Sequence, residues 1–166
     1  MLTPAQLITL NAAIEADSAL NSQPMNDDGA NAIAIALSAI ATPDYWVWRS
    51  FVPDAELYEA TTADGTTWSW TTFIGRSQGE RDAWRQMVNM KGGIAPYLAN
   101  VRAGIADIFS GAGGAAQRTH LLTSGRRKAT RAEQLFATGA GTTAAPSIMG
   151  FEGTLTIADV TAAREL

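Results

Sequence analysis

Apolar side chains recur along this chain at the spacing of one helix face, and glycine or proline closes almost every such run. Leu98, Val101, Ile105 and Ile108 make the cleanest stripe, because steps of three and four residues keep side chains on one side of a 3.6-residue helix. Pro96 opens that stretch and Gly111 to Gly114 breaks it. The same grammar starts the chain. Thr3 is a good N-cap, and Pro4 takes the first helical position, where its missing N–H costs nothing. Leu7, Leu10 and Ile14 form the stripe, and Asn21 to Pro24 ends the unit. A second helix is predicted from Asn26, with Asp27 and Asp28 complementing the positive end of its dipole. Ile33, Leu37 and Ile40 line one side of it. Ile35 and the alanines at 30, 32, 34, 36, 39 and 41 extend apolar character around the cylinder, so burial on more than one side is expected.

Ser77-Gln78-Gly79-Glu80 has the capping-box pattern, in which the serine hydroxyl and the glutamate each satisfy an orphan N–H. It predicts a third helix that buries Ala83, Trp84, Met87 and Val88 and stops at Gly92-Gly93. After the helix opened by Pro96, a fifth helical stretch is expected from about Ala115 to Ala137, kinked or interrupted at Gly125. It carries Leu121, Leu122, Ala132, Leu135 and Phe136.

Between Thr42-Pro43 and the third helix the pattern changes. Tyr45 to Phe51 alternates as a short strand, with Trp46 and Trp48 on one face and Tyr45, Val47 and Phe51 on the other. A turn at Asp64-Gly65 leads to a second candidate strand, Trp68 to Ile74, placed to pair with the first. Asp54 to Ala60 reads as one or two helical turns. From Gly139 to Gly150 almost no bulky side chain occurs, so a core element is not expected there. Thr156-Ile157-Ala158-Asp159 caps a terminal helix reaching about Glu165. The predicted fold class is therefore mainly α, a helical bundle with a small aromatic-rich β insertion and an extended C-terminal arm. Residues 1–138 form the helical domain, with the insertion around 45–74, and residues 139–166 form a flexible arm with a short terminal helix.

Length and composition set the outer limits. A chain of 166 residues suits one domain that buries roughly 70% of its unfolded surface. The absence of cysteine removes disulfides, thiolate nucleophiles and cysteine-ligated zinc together. A net charge of −4 disfavours nonspecific binding to nucleic acid. Only 17% of residues are charged, against an average of about 25%, which hints that partners cover part of the surface. Met1-Leu2-Thr3-Pro4 lacks a basic region, and no apolar run approaches the roughly 20 residues needed to span a bilayer. A soluble protein made in the cytoplasm, with no membrane partner, is expected.

Candidate chemistry is sparse. His120 is the only histidine, and on a helix beside no clustered acid it reads as a surface or packing residue. Gly111-Ala112-Gly113-Gly114 follows a helical stretch rather than a strand, so it reads as a hinge and not as a phosphate cradle. Glu56, Glu59 and Asp64 lie near tryptophans, as in a sugar-binding cleft, whereas most other acids are explained as helix starts. No catalytic, cofactor-binding or metal-binding residue is assigned, and no enzymatic activity is expected. Of five tryptophans, four lie between residues 46 and 70, and each suits a core or a partner interface. Arg126, Arg127, Lys128 and Arg131 gather four of the twelve basic residues, either as a solvated face paired locally, for instance to Glu133, or as a contact for an acidic partner or passing DNA phosphates. The Gly139 to Gly150 segment reads as a plain linker or as a loop laid across a neighbouring subunit.

Three motifs in the last third carry a likeness: Arg127-Lys128-Ala129-Thr130-Arg131-Ala132-Glu133, Leu135-Phe136-Ala137-Thr138-Gly139 and Met149-Gly150-Phe151-Glu152-Gly153. With the opening Met1 to Leu7 and Trp46-Val47-Trp48-Arg49, they resemble a family of small virion structural proteins of tailed bacteriophages and prophages. The resemblance implies a head–tail connector, an adaptor that forms an oligomeric ring, commonly twelvefold, at the neck between portal and tail. Its implied partners are copies of itself, the portal and tail or neck proteins, with DNA passing through the lumen without specific binding. Its implied location is the virion, after assembly in the host cytoplasm, and no cofactor is implied. A tail-completion, terminator or capsid-associated protein is the alternative, and a carbohydrate-active enzyme the more distant one. The candidate partner-interface residues are Trp46, Trp48, Trp68, Trp70, Arg126, Arg127, Lys128, Arg131 and Phe151.

Overall fold

The computed structural model describes residues 1–59, 61, 62 and 65–166, and it is mainly helical. In chain order come α1 (Pro4–Ala16), α2 (Ser18–Asn21), α3 (Asp27–Ser38), β1 (Trp46–Trp48), β2 (Val52–Pro53), α4 (Asp54–Glu59), α5 (Trp70–Ile74) and α6 (Gln78–Asn89). Then follow β3 (Gly93–Ile94), α7 (Ala99–Ile108), a 3-10 turn (Ala112–Gly114), α8 (Ala115–Ser124), β4 (Arg126–Lys128), α9 (Arg131–Phe136) and α10 (Ile157–Arg164). The chain folds as two compact units. The first comprises Met1–Val47 and Lys128–Leu166, and the second Trp48–Arg127.

The first unit is built on aliphatic and small side chains. Leu10 and Ile14 of α1, Ile33 and Leu37 of α3, and Val160 and Ala163 of α10 share one core, with α10 packed on both α1 and α3. Local hydrogen bonds set where its helices begin. Thr3 with Gln6, Thr130 with Glu133 and Thr156 with Asp159 are complete capping boxes, each satisfying two N–H groups that the first turn leaves without partners. Two expectations change here. The first helix ends at Ala16 rather than running on to Asn21, because the Asp17 carboxylate accepts from Ala19 N and Leu20 N and starts α2. Residues 139–166 are not a loose arm: Leu155, Val160 and Ala163 are core residues, and the stretch before them is stitched down backbone to backbone. Thr138 and Ile148 exchange both of their bonds at 2.8 and 2.9 Å. Gly141 allows this closure, since its φ is +66° and a Cβ there would stand 2.1 Å from the Tyr45 ring.

The second unit sets a cluster of rings among aliphatic side chains. Trp84, on α6, and Phe109, after α7, are fully buried, Trp68 is 7% exposed, and the rings of Trp68 and Trp84 stack at 5.6 Å. Phe73 and Phe109 approach Trp68 at 5.5 and 6.1 Å, the second edge-on, as the aromatic quadrupole favours. β2 and β3 pair antiparallel, with Val52 opposite Ile94 and Pro53 opposite Gly93. Ser77 and Glu80 form the predicted capping box of α6. The second candidate strand, Trp68 to Ile74, is instead largely helix α5. The Ser69 hydroxyl accepts from Thr72 N at 3.1 Å and caps it, a local bond that outcompetes alternation. Asp64 of the predicted turn lies outside the described residues, while Thr62 N donates to Thr66 O at 2.9 Å across it.

The mainly α expectation holds, and so does a short strand at the first tryptophan pair. The expected division at residue 138 does not. The chain leaves the first unit within β1 and re-enters it within β4, and the helical stretch expected from 115 to 137, with a kink or interruption at Gly125, is indeed interrupted there and divides into α8, strand β4 and α9. Gly125 ends α8, and the Thr130 cap begins α9.

Candidate partner interface

The sequence-predicted interface residues do not form one patch. Trp46 belongs to the first unit and is half-buried; its N–H donates to Gly141 O at 2.8 Å and its carbonyl accepts from Ser147 N at 2.9 Å. Trp48 is half-buried in the second unit, with the Arg102 guanidinium 4.8 Å above its ring. Trp68 is a core residue. Trp70 is 55% exposed, and its ring lies 5.4 Å from that of Tyr58. Burial pushes the Tyr58 hydroxyl above its ordinary pKa, although that hydroxyl accepts from Trp84 Nε1 at 3.2 Å. Phe151 is half-buried in the first unit, edge-on to Phe136 at 5.6 Å.

The basic residues are likewise dispersed. Arg126 and Arg127 are half-buried on β4, a strand rather than a helix, so neighbouring side chains alternate instead of sharing a helical face. Lys128 meets Asp44 at 2.7 Å and Arg131 meets Asp17 at 2.7 Å, both within the first unit. The Arg131 bond holds the Asp17 carboxyl below its usual pKa, aided by the Leu20 N–H. Glu133 is not on the surface: it is 2% exposed and accepts from Thr130 N at 3.0 Å.

The acids considered for sugar chemistry are accounted for in part. Arg49 pairs with Glu56 through both of its terminal nitrogens and holds that carboxyl below its ordinary pKa, the opposite of what a general acid needs. Glu59 is exposed, and Asp64 lies outside the described residues. His120 is buried in the second unit, with Nε2 donating to Leu57 O at 2.9 Å and Nδ1 facing the Thr66 hydroxyl at 3.4 Å. Among the described residues, no group of three or more histidine, aspartate or glutamate side chains converges as a metal ion requires. Nor is any described helix long and apolar enough to cross a membrane.

One concavity was missed by the sequence reading. It is an open groove of about 390 Å³ on the second unit, lined by Met87, Met90, Lys91, Ile94, Leu98 and Val101 among others. Met87 was expected in the core, yet it is half-exposed, and Met90 is 77% exposed. The signal was present. Ala83, Met87 and Met90 stand four and three apart, a second apolar stripe beside Trp84 and Val88, which makes the apolar face of α6 wider than its own unit covers. No family model, no curated protein and no solved structure matches this chain.

Proposed function

We propose that this chain is a structural assembly protein of tailed-phage particles, a head–tail adaptor that packs as an oligomeric ring at the neck. The observation that supports an assembly role is the large apolar side chains that both units leave uncovered on ordered helices or beside them. In the first unit these include Ile8 on α1, Met25, and Ile35, the last 65% exposed on α3. In the second they are Trp70, Ile74 and Met90. Covering such groups by a partner would gain roughly 25 cal/mol for each Å² of apolar surface removed from water, and they favour binding where they adjoin one another, as Met90 does with Met87 and Leu98 in the groove. The neck position rests on the motif resemblance around Arg127 to Glu133, Leu135 to Gly139 and Met149 to Gly153. Portal and tail proteins are the partners under this reading, with DNA passing through the lumen unbound.

Fractionated particles from a host carrying the gene provide the test. The chain is expected in the particle at about the copy number of a closed ring, with density at the neck by electron microscopy. A sixfold count at the tail end would identify a terminator, and a count in the hundreds a shell component. Absence from purified particles would remove the phage reading altogether.

A further inference from the structure

The groove on the second unit is apolar with a single lysine at its lining, and one corner of the first unit carries an exposed methionine among carboxylates. We propose that the Met-lined groove of one copy receives the Met25 corner of another. This rests on the reading of the chain as a self-assembling protein and deepens it by naming the two surfaces. Met25 is 72% exposed, and it follows a loop whose carbonyls are hydrogen-bonded within the first unit. Arg164 of α10 donates to Pro24 O at 2.8 Å and to Gln23 O at 2.6 Å, fixing the residues that lead into it. Gly29 backs directly onto the same loop, since a Cβ there would stand 2.0 Å from Pro24 O. A pre-ordered apolar tip loses little entropy on docking.

Charge selects the pairing. The first unit carries nine acidic and three basic side chains, a balance of −6. The second carries seven acidic and nine basic, a balance of +2. Around Met25 the exposed charges Asp27, Asp28 and Glu165 are carboxylates, and Asp27 and Glu165 line one pocket with Met25 and with the half-buried Arg164, whose guanidinium is engaged by the Gln23 and Pro24 carbonyls. The groove has one charged lining residue, Lys91, and no carboxylate. Methionine lining suits such a site, because the unbranched thioether adapts to an inserted side chain. The two surfaces differ, so the contact is heterologous and leaves a free groove at one end and a free Met25 corner at the other. Repetition then closes a ring or grows a filament.

Sedimentation of the full chain from micromolar to millimolar concentration tests this with three variants: Met90→Glu, Met25→Asp and Lys91→Glu. Met90 and Met25 are both exposed, so each variant is expected to keep its fold, which circular dichroism checks. The wild type is expected to associate, with Met90→Glu and Met25→Asp each weakening association at least about tenfold, the equivalent of ~1.4 kcal/mol. Lys91→Glu weakens it less, and raised salt reduces the difference from wild type. Mixing Met90→Glu with Met25→Asp restores one contact, because each copy keeps the face that the other lacks, and growth stops at the pair. A wild type that stays solitary at millimolar concentration overturns the proposal, as does association untouched by Met90→Glu. A mixture that fails to pair also overturns it. Association through these residues in a chain absent from phage particles removes the neck assignment and leaves the contact standing, whereas a solitary chain found at the neck does the reverse.

Discussion

The two units solve the same packing problem with different materials. In the first, aliphatic and small residues from α1, α3 and α10 close around Leu10, Ile14 and Ile33, and three capping boxes define helix starts. In the second, the rings of Trp68, Phe73, Trp84 and Phe109 pack together among aliphatic residues such as Val52, Leu57, Ile105 and Leu121, and Ser77 with Glu80 forms the capping box of α6. Many small contributions make the first unit tolerant of single changes at its edges. The second adds to its aliphatic residues a cluster of large rings, each of which would leave a large cavity if truncated. The difference also reaches the surface. Short α-helices packed on bulky rings leave part of the wide α6 face uncovered, and that uncovered part is the Met-lined groove.

The sharpest way to break this comparison is Trp84→Ala, which removes a fully buried ring stacked on Trp68 and edge-on to Phe109. A loss of about 3–5 kcal/mol is expected in denaturant unfolding. Hydrogen exchange should show protection falling first in residues 48–127. An equal and simultaneous fall in both units would mean that they open as one body, and the contrast drawn here would fail. Leu10→Ala is the matching cut in the first unit, with an expected cost of about 2–5 kcal/mol, read at the amides of α1, α3 and α10.

The caps are a smaller lever. Thr156→Ala removes the oxygen that accepts from Asp159 N at 3.1 Å, and should cost about 1 kcal/mol. Asp159 supplies a pH test of the same box. Burial works to raise its carboxyl, yet hydrogen bonds from Thr156 and from Leu2 N outweigh that and hold its pKa below the ordinary 3.8. A depressed folded pKa contributes stability above the unfolded value, and that contribution is lost as pH falls through the folded one. Acid unfolding of the wild type should therefore steepen below about pH 4, and Asp159→Asn should flatten that limb in the amides of the first unit. An unchanged acid limb would show that the Leu2 and Thr156 bonds carry no weight. The smallest effect is expected from Arg85→Ala. Its pair with Asp82 is solvent-exposed, and its removal should shift stability by less than about 0.5 kcal/mol.

Local signals were read well from residues alone. Thr3-Pro4, Ser77 with Glu80, and Thr156 with Asp159 named three helix starts, since a cap is decided within four residues and needs no knowledge of the rest of the fold. The α3 start at Asn26 was equally readable, and Trp46 and Trp48 do flank a buried Val47 on β1. Burial was harder. Ile40 was placed in the α3 stripe and lies exposed beyond the helix end, and Ile35 faces outward, so α3 is covered on one side within this chain. The candidate site suffered most. Trp68 and Trp70 do meet, with ring centroids 5.5 Å apart, but Trp46 and Trp48 fall in separate units, and the four cations read as one helical patch divide between strand β4 and the start of α9, with Lys128 and Arg131 paired to acids far away in sequence.

What this chain's residues determined unaided is a mainly helical protein with defined helix starts, no thiol chemistry and unusually few charges. Each of these is a local or additive property, set by neighbours a few positions apart or by composition. What only the tertiary structure decided is that the two ends of the chain share one unit, that Gly139 to Gly150 is bonded down rather than loose, and that the second stripe of α6 opens into a groove. Those outcomes depend on contacts between residues far apart in sequence. Thr156 can cap a helix wherever it stands, but whether Met90 is covered depends on which distant element comes to lie against it.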